Sequence, residues 1–314
     1  MDQEQRDWLK ARRQLLRTVK DQVRRRLGSD PADLHAYTVE GRGLLRRKYR
    51  VSSKSEILAE IDSADVVYGG DFHAHGPAQR THLKILRHLA VERPVILALE
   101  CFEARAQKWI DAYLSGRFDL STLKARTKWD ESWGFPWEQY RPLVELAKKK
   151  NWKIEAIGVP KEGTVGRGGL ARQDRETAGR LRHLVLTRPA ALIYVIIGEL
   201  HLSRLPAVFR KEMGRVRRLR EVAIHINAEA VYFELASKGL EHSVDVVRYS
   251  SQPKRDPVVR FGVISSPPWV PWQSYLLHLD HTVDLNWEES DEDDEDSADY
   301  DPTDHIRRLV EWIA

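Results

Sequence analysis

Val66-Val67-Tyr68-Gly69-Gly70-Asp71-Phe72-His73 is an apolar run that ends in two glycines, an acid and a histidine. The run reads as a buried strand, and the glycines permit a tight turn and close approach to the backbone at its carboxyl end. The same order returns later in the chain. Ile196-Ile197-Gly198-Glu199-Leu200-His201 closes the most apolar stretch of the protein with glycine, acid, apolar residue and histidine. Parallel α/β sheets place ligands at the carboxyl ends of their strands, so Asp71 and His73 are expected to project into such a crevice. If the two strands are neighbours, His73 and His201 converge on one site. The alternative is that the two turns serve separate structural roles.

Outward from these turns, short apolar runs alternate with helical periodicity. Strands are expected over residues 65–68, 95–99, 153–157, 191–197 and 222–227, and helices over 79–90, 104–114, 137–149, 170–186 and 204–212. Such alternation predicts an α/β fold with a mostly parallel sheet flanked by helices. Shorter strands over 244–249 and 258–264 are read as an antiparallel extension, and an amphipathic segment starts at the prolines of 266–271 and runs to about residue 285. Residues 1–60 read as a basic helical N-terminal region. Leu9, Leu15, Leu16, Val19 and Val23 form its apolar stripe, and Gly28-Ser29-Asp30-Pro31 interrupts it. This region is expected to pack outside the main sheet or against a partner. The organisation that follows is a basic region over 1–60, an α/β domain over 61–286, a disordered acidic segment over 287–304 near the C-terminus, and a short terminal helix over 305–314.

Composition sets limits on function. The 314 residues are 42% hydrophobic and 31% charged, enough for a buried core under a highly charged surface. One cysteine, Cys101, excludes an intramolecular disulfide and a multi-thiolate metal centre, and fits a reducing, cytoplasmic compartment. The first residues, MDQEQRDWLKARRQLL, are charged throughout, so export through a signal peptide is not expected. No apolar stretch reaches transmembrane length. Residues 1–287 carry 49 Lys and Arg against 35 Asp and Glu, whereas 288–304 carries 11 acids, so the net charge of +4 conceals two opposite regions. Because no aromatic-and-basic recognition motif accompanies the positive excess, nucleic acid is not expected as a partner.

Glu100 follows the apolar run 95–99, where a carboxylate is costly unless it is paired or holds a cation. Three strands would thus deliver His73, Glu100 and His201 to one rim. Two histidines and a carboxylate are a competent set for zinc, iron, cobalt or manganese, with positions left open for water or substrate. Pairing of Glu100 with a nearby arginine is the bland alternative. Arg172, Asp174 and Arg175 open a helix, where they bind an anion or merely cap it. His75 and His82 lie close to His73, with His82 expected at the surface of a helix. Trp129, Trp133, Trp137 and Tyr140 cluster either as an apolar wall for a flat ligand or as core.

With these residues in place a resemblance becomes usable. Gly70-Asp71-Phe72-His73, Ala98-Leu99-Glu100-Cys101-Phe102, Trp133 through Tyr140-Arg141-Pro142-Leu143, Gly158-Val159-Pro160, Gln173-Asp174-Arg175 and Gly198-Glu199-Leu200-His201 resemble the ordered blocks of the ChaN-like haem-binding family. That family stands with the Tiki, TraB and erythromycin-esterase proteins, which share paired Gly-x-x-His motifs. The resemblance implies haem or iron handling, usually in exported bacterial lipoproteins, and hydrolysis in the Tiki and esterase relatives. It implies that His73, Glu100 and His201 form the site, with Asp71 and Glu199 beside them and Tyr140 and Arg175 as further cofactor contacts. A flat ligand sandwiched in a homodimer is compatible with it. Asp71 stands where these families usually have Glu, and neither the N-terminal region nor the acidic segment is explained by the family.

The leading expectation is a protein that binds haem or a divalent metal through the two turns and Glu100. The alternative is a hydrolase in which Glu100 or His73 activates water, alone or on a metal, while Arg172 or Arg175 steadies negative charge. A scaffold that has kept the fold without the chemistry is the third.

Overall fold

The structure is a computed structural model that describes residues 2–27, 32–160, 168–252, 254 and 256–287. The interruption expected at 28–31, the acidic segment from 288 and the terminal helix over 305–314 lie outside those residues. In chain order the elements are α1 (Gln3–Leu27), α2 (Ala32–Leu45), β1 (Tyr49–Val51), α3 (Lys54–Asp62), β2 (Val66–Asp71), α4 (Gly76–Arg87) and β3 (Val95–Glu103). Then come α5 (Gln107–Leu114), α6 (Leu120–Arg126), α7 (Trp129–Ser132), α8 (Trp137–Lys149), β4 (Lys153–Gly158), α9 (Gly169–Thr187) and β5 (Leu192–Gly198). A 3-10 turn over Glu199–Ser203 leads into α10 (Leu205–Met213), β6 (Glu221–Ile226), α11 (Glu229–Ala236), β7 (Val246–Tyr249), β8 (Val259–Val263) and α12 (Trp269–Trp287). The described residues up to Leu276 form one compact unit.

The fold is α/β, and the described residues place eight strands in the order β1-β7-β8-β6-β2-β5-β3-β4. β2 runs parallel to β5 and β6, β3 parallel to β4 and β5, and β8 parallel to β6. Among the described strands, β7 pairs antiparallel with β8 and β1 with β7. The extension expected to be antiparallel is therefore mixed, because β8 continues the parallel sheet. The short strand β1 falls within the region read as wholly helical.

Side-chain alternation sorts the core onto two faces. Val67, Leu97, Leu99, Tyr194 and Ile196 pack with α3 to α8 on one face. Val66, Tyr68, Ile96, Ala98, Ile193 and Ile197 pack with α9 and α10 on the other. The chain leaves β2 through α4 on the first face and leaves β5 through α10 on the second. Two adjacent parallel strands whose connections depart to opposite faces open a crevice at their carboxyl ends, the ligand position of open α/β sheets. Register places Asp71 opposite Gly198 at that point.

β3 and β4 approach so closely past their register shift at Leu99 to Glu103 that Gly158 has no space for a side chain. A Cβ there would lie 2.2 Å from the Glu100 carbonyl oxygen and 2.7 Å from that of Phe102, and backbone cannot yield as a flexible side chain does. Gly179, in the middle of α9, has nothing within 4 Å of a Cβ. Gly158→Ala is expected to destabilise the protein by about 2 kcal/mol or more, whereas Gly179→Ala should stabilise it by roughly 0.5–1 kcal/mol through the lower entropy of its unfolded chain. Urea denaturation of the two variants checks both signs.

Candidate functional site

The crevice between β2 and β5 collects polar groups from both faces of the sheet. Asp71 belongs to the α4 and α8 side, where Tyr140 donates to its Oδ2 at 2.7 Å and Gln79 to its Oδ1 at 2.5 Å. Glu100 belongs to the α9 side, where Gln173 donates to its Oε1 and the backbone N–H of Gly198 donates to its Oε2 at 2.6 Å. His73 hangs over the rim and gives Nδ1–H to Asp71 Oδ2 at 3.0 Å. His201, on the 3-10 turn after β5, gives Nδ1–H to Asp174 Oδ1 at 2.7 Å. Carboxylates only accept, so each aspartate fixes the proton of its histidine on Nδ1 and leaves Nε2 for the crevice.

Both Nε2 atoms face the same carboxylate. His73 Nε2 lies 3.8 Å from Glu100 Oε2, and His201 Nε2 lies 3.7 Å from Glu100 Oε1, beyond direct hydrogen-bond reach. The separation is a few tenths of an ångström wider than the roughly 3.4 Å between ligand atoms around a tetrahedral metal. Among the described residues no group of three or more His, Cys, Asp or Glu side chains is already spaced to hold a metal ion. The result is a near-symmetric array, Tyr140–Asp71–His73 and Tyr37–Asp174–His201, with Glu100 in the middle. Tyr37 supplies the second hydroxyl, 2.5 Å from Asp174 Oδ2.

Burial pulls both imidazoles toward the neutral form. The bond to Asp71 and the charges of Glu100 and Asp71 outweigh it at His73, and its pKa rises above 6.5. At His201 the bond to Asp174 and the charges of Glu100 and Asp174 do the same. Burial, followed by the charge of Asp71, pushes the Tyr140 hydroxyl well above its usual range, so it stays a donor.

His73, Glu100, His201, Asp71 and Tyr140 are thus brought together. Glu199 is close in sequence but turns to the other side. Its Oε1 lies 2.5 Å from His225 Nδ1, and its Oε2 lies over Gly70. Arg260 Nη1 lies 3.0 Å from His225 Nε2, and a guanidinium cannot accept, so His225 accepts at Nε2 and donates Nδ1–H to Glu199. Arg260 is held in turn by Asp256, which also meets Arg47 at 2.8 Å. Arg175 is exposed on α9 and Arg172 pairs with Glu176, while Gln173 and Asp174 take the inward positions. His82 corrects the expectation of a surface residue. It is fully buried, gives Nε2–H to the Gly70 carbonyl at 2.8 Å and accepts from the Tyr194 hydroxyl at Nδ1. His75 is buried against Ser266 and Ser274, and burial with the nearby Arg80 pushes its pKa down to about 4. Trp129, Trp137 and Tyr140 are core, and the half-buried Trp133 stands edge-on to the His73 ring at 4.6 Å.

Gln79 and Tyr37 carried no local signal. Gln79 sits in an ordinary amphipathic helix, and Tyr37 lies in a segment with no strand pattern around it.

The glycines of the two turns are spatially reciprocal. A Cβ at Gly198 would meet His73 Nε2 at 3.2 Å, and one at Gly70 would meet Glu199 Oε2 at 1.8 Å. Each turn therefore leaves room for a side chain of the other.

An α/β protein with an imidazole–carboxylate site at the switch point of its sheet is the class these features define. Residues 57–191 match the family described as haem-binding uptake, Tiki superfamily, ChaN, so the resemblance seen in the sequence holds over that segment. The match takes in His73, Glu100, Tyr140 and Asp174 but ends before Gly198 and His201. Among solved structures the chain is similar to ChaN of Campylobacter jejuni, described for its cofacial haem binding, with 15% identity, a TM-score of 0.46, and coverage of 58% of this chain and 92% of that one. It is also similar to the C-terminal region of Pasteurella multocida toxin, with 14% identity, a TM-score of 0.35, and coverage of 59% of this chain and 26% of that one. Comparison with curated proteins finds no match. No described helix is long and apolar enough to cross a membrane.

Gly70→Ala drives a methyl into a carboxylate that His225 holds in place. Destabilisation of about 1–3 kcal/mol is expected. In a Glu199→Ala background the same substitution should cost far less, a coupling of about 1 kcal/mol or more in a double-mutant cycle by urea denaturation. Additive effects would refute the interlocking of the two turns.

Proposed function

We propose that this chain is a ChaN-like protein that binds haem or a metal ion at the site formed by the two Gly-x-x-His turns and Glu100. The observation that carries the reading is that both histidines are locked by carboxylates at Nδ1 and turn Nε2 toward one shared carboxylate. Carboxylate–histidine pairs of this kind orient metal-ligating imidazoles and raise their basicity.

The residues fit the two ligands differently. The His73 side chain is 26% exposed, whereas that of His201 is 4% exposed. His73 also lies 4.6 Å from the Trp133 ring and 5.2 Å from that of Phe135, which gives a macrocycle an imidazole and aromatic edges at one rim. When bound, haem would supply an iron centre, and Nε2 of His73 is the imidazole donor that would hold it. His201 and Glu100 suit a bare cation instead, or support His73 from behind. The buried free thiol of Cys101 fits the cytoplasmic setting expected from the single cysteine.

Haemin added to the purified protein is expected to give a Soret shift. His73→Ala should abolish it, and His201→Ala should weaken binding between about tenfold and a hundredfold. No shift in the unmodified protein, together with no metal by elemental analysis, would remove the proposal. The pH dependence has a definite sign. Only the form of His73 with a free Nε2 lone pair ligates, and its pKa lies above 6.5, so apparent haemin affinity should climb as pH rises through that raised pKa and then level off. A titration from pH 6 upward checks this.

A hydrolase of the esterase kind is favoured by one specific observation, that the 2.7 Å Asp174–His201 pair has the geometry of a general base held by an orienting carboxylate. Against it, neither Arg172 nor Arg175 is placed to steady negative charge. Turnover of an ester panel that Glu100→Gln abolishes would support it.

A further inference from the structure

The Tyr–Asp–His unit on the His201 side draws its tyrosine from α2, well before the matched segment. α2 lies on the 3-10 turn that carries His201. Glu40 takes both Nε and Nη2 of Arg204, at 2.6 and 2.5 Å, and the Arg204 guanidinium covers the Tyr37 ring at 4.4 Å from its centroid. The Tyr37 ring meets the His201 ring edge-on at 6.1 Å. Tyr37 is fully buried, as is Asp174.

We propose that Tyr37 is a positioning residue of the strand-end site, holding Asp174 so that its other oxygen keeps the proton of His201 on Nδ1. Its importance for ligand binding rests on the reading of His201 as part of that site. The physical case has three steps. Asp174 is enclosed, and a buried carboxylate keeps a fixed orientation only when both oxygens are satisfied. Oδ1 is taken by His201 and Oδ2 by Tyr37. Burial, then the bond and charge of Asp174, hold the Tyr37 hydroxyl far above its usual range, so it keeps its proton and donates it to Asp174. The opposite half of the site uses the same device, with Tyr140 donating to Asp71 behind His73. The N-terminal region therefore supplies one of two equivalent supports, and the site is incomplete without it.

Tyr37→Phe tests this, because it keeps the ring under Arg204 and removes only the hydroxyl. In histidine-labelled protein without added ligand, the Nδ1-bound proton of His201 is identified by its Overhauser contact to the ring of residue 37. In the variant it is expected to move upfield and to exchange faster with water. Haemin binding, measured in parallel, should weaken by about tenfold. An unchanged Nδ1–H resonance with unchanged exchange overturns the proposal, whatever the haemin result. If the unmodified protein takes up no haemin, the functional reading falls while the proton resonance still decides the role of Tyr37.

Discussion

Glu100 places a carboxylate at the carboxyl edge of a parallel sheet with 7% of its surface exposed. A carboxylate so enclosed costs several kcal/mol unless hydrogen bonds and opposite charge replace its water. Gln173, the Gly198 N–H and two imidazoles with raised pKa values provide that replacement. Each imidazole then needs its own anchor. Asp71 and Asp174 provide it, and they in turn need Tyr140, Gln79 and Tyr37. The polar network is thus a consequence of one buried charge, followed outward through the groups that hold it and the groups that hold those.

The sheet topology makes this network possible. With α4 on one face and α10 on the other, β2 and β5 present alternate residues to separate layers. Asp71 can lean on α8 while Glu100, one strand beyond β5, leans on α9. No single face could have supplied both halves. The glycines complete the arrangement by omission, since Gly198 leaves space for His73 and Gly70 leaves space for Glu199. Glu199 itself is held in a second chain of contacts through His225, Arg260 and Asp256, which anchors the turn bearing His201 from the side away from the crevice.

Much of this was legible in the residues because local pattern carries it. Periodicity located the strands that bear the site and fixed α8 at both ends, and the repeated Gly-x-x-His order pointed to two strands ending alike. The convergence of His73 and His201 was expected only if their strands are neighbours, and the pairing of β2 with β5 meets that condition. What escaped is set by long-range contact. Glu199 has the same sequence offset from its glycine as Asp71, yet strand neighbours decide that one turns toward His225 and the other toward His73. His82 looked like a surface position because helix periodicity cannot tell a polar core residue with two partners from a solvated one. Tyr37 and Gln79 offered no pattern, since their roles exist only once α2 and α4 are docked.

The distribution of the network along the chain bears on what the family match can mean. Residues 57–191 hold Asp71, His73, Gln79, Glu100, Tyr140, Gln173 and Asp174. Gly198 and His201 come after that segment, and Tyr37 before it. A site assembled from the matched residues alone would leave Glu100 without the Gly198 N–H and the second imidazole, and Asp174 without either of its partners. Both would be enclosed carboxylates lacking the compensation that burial demands. The connected polar network is therefore larger than the matched segment, extending from α2 to the turn after β5.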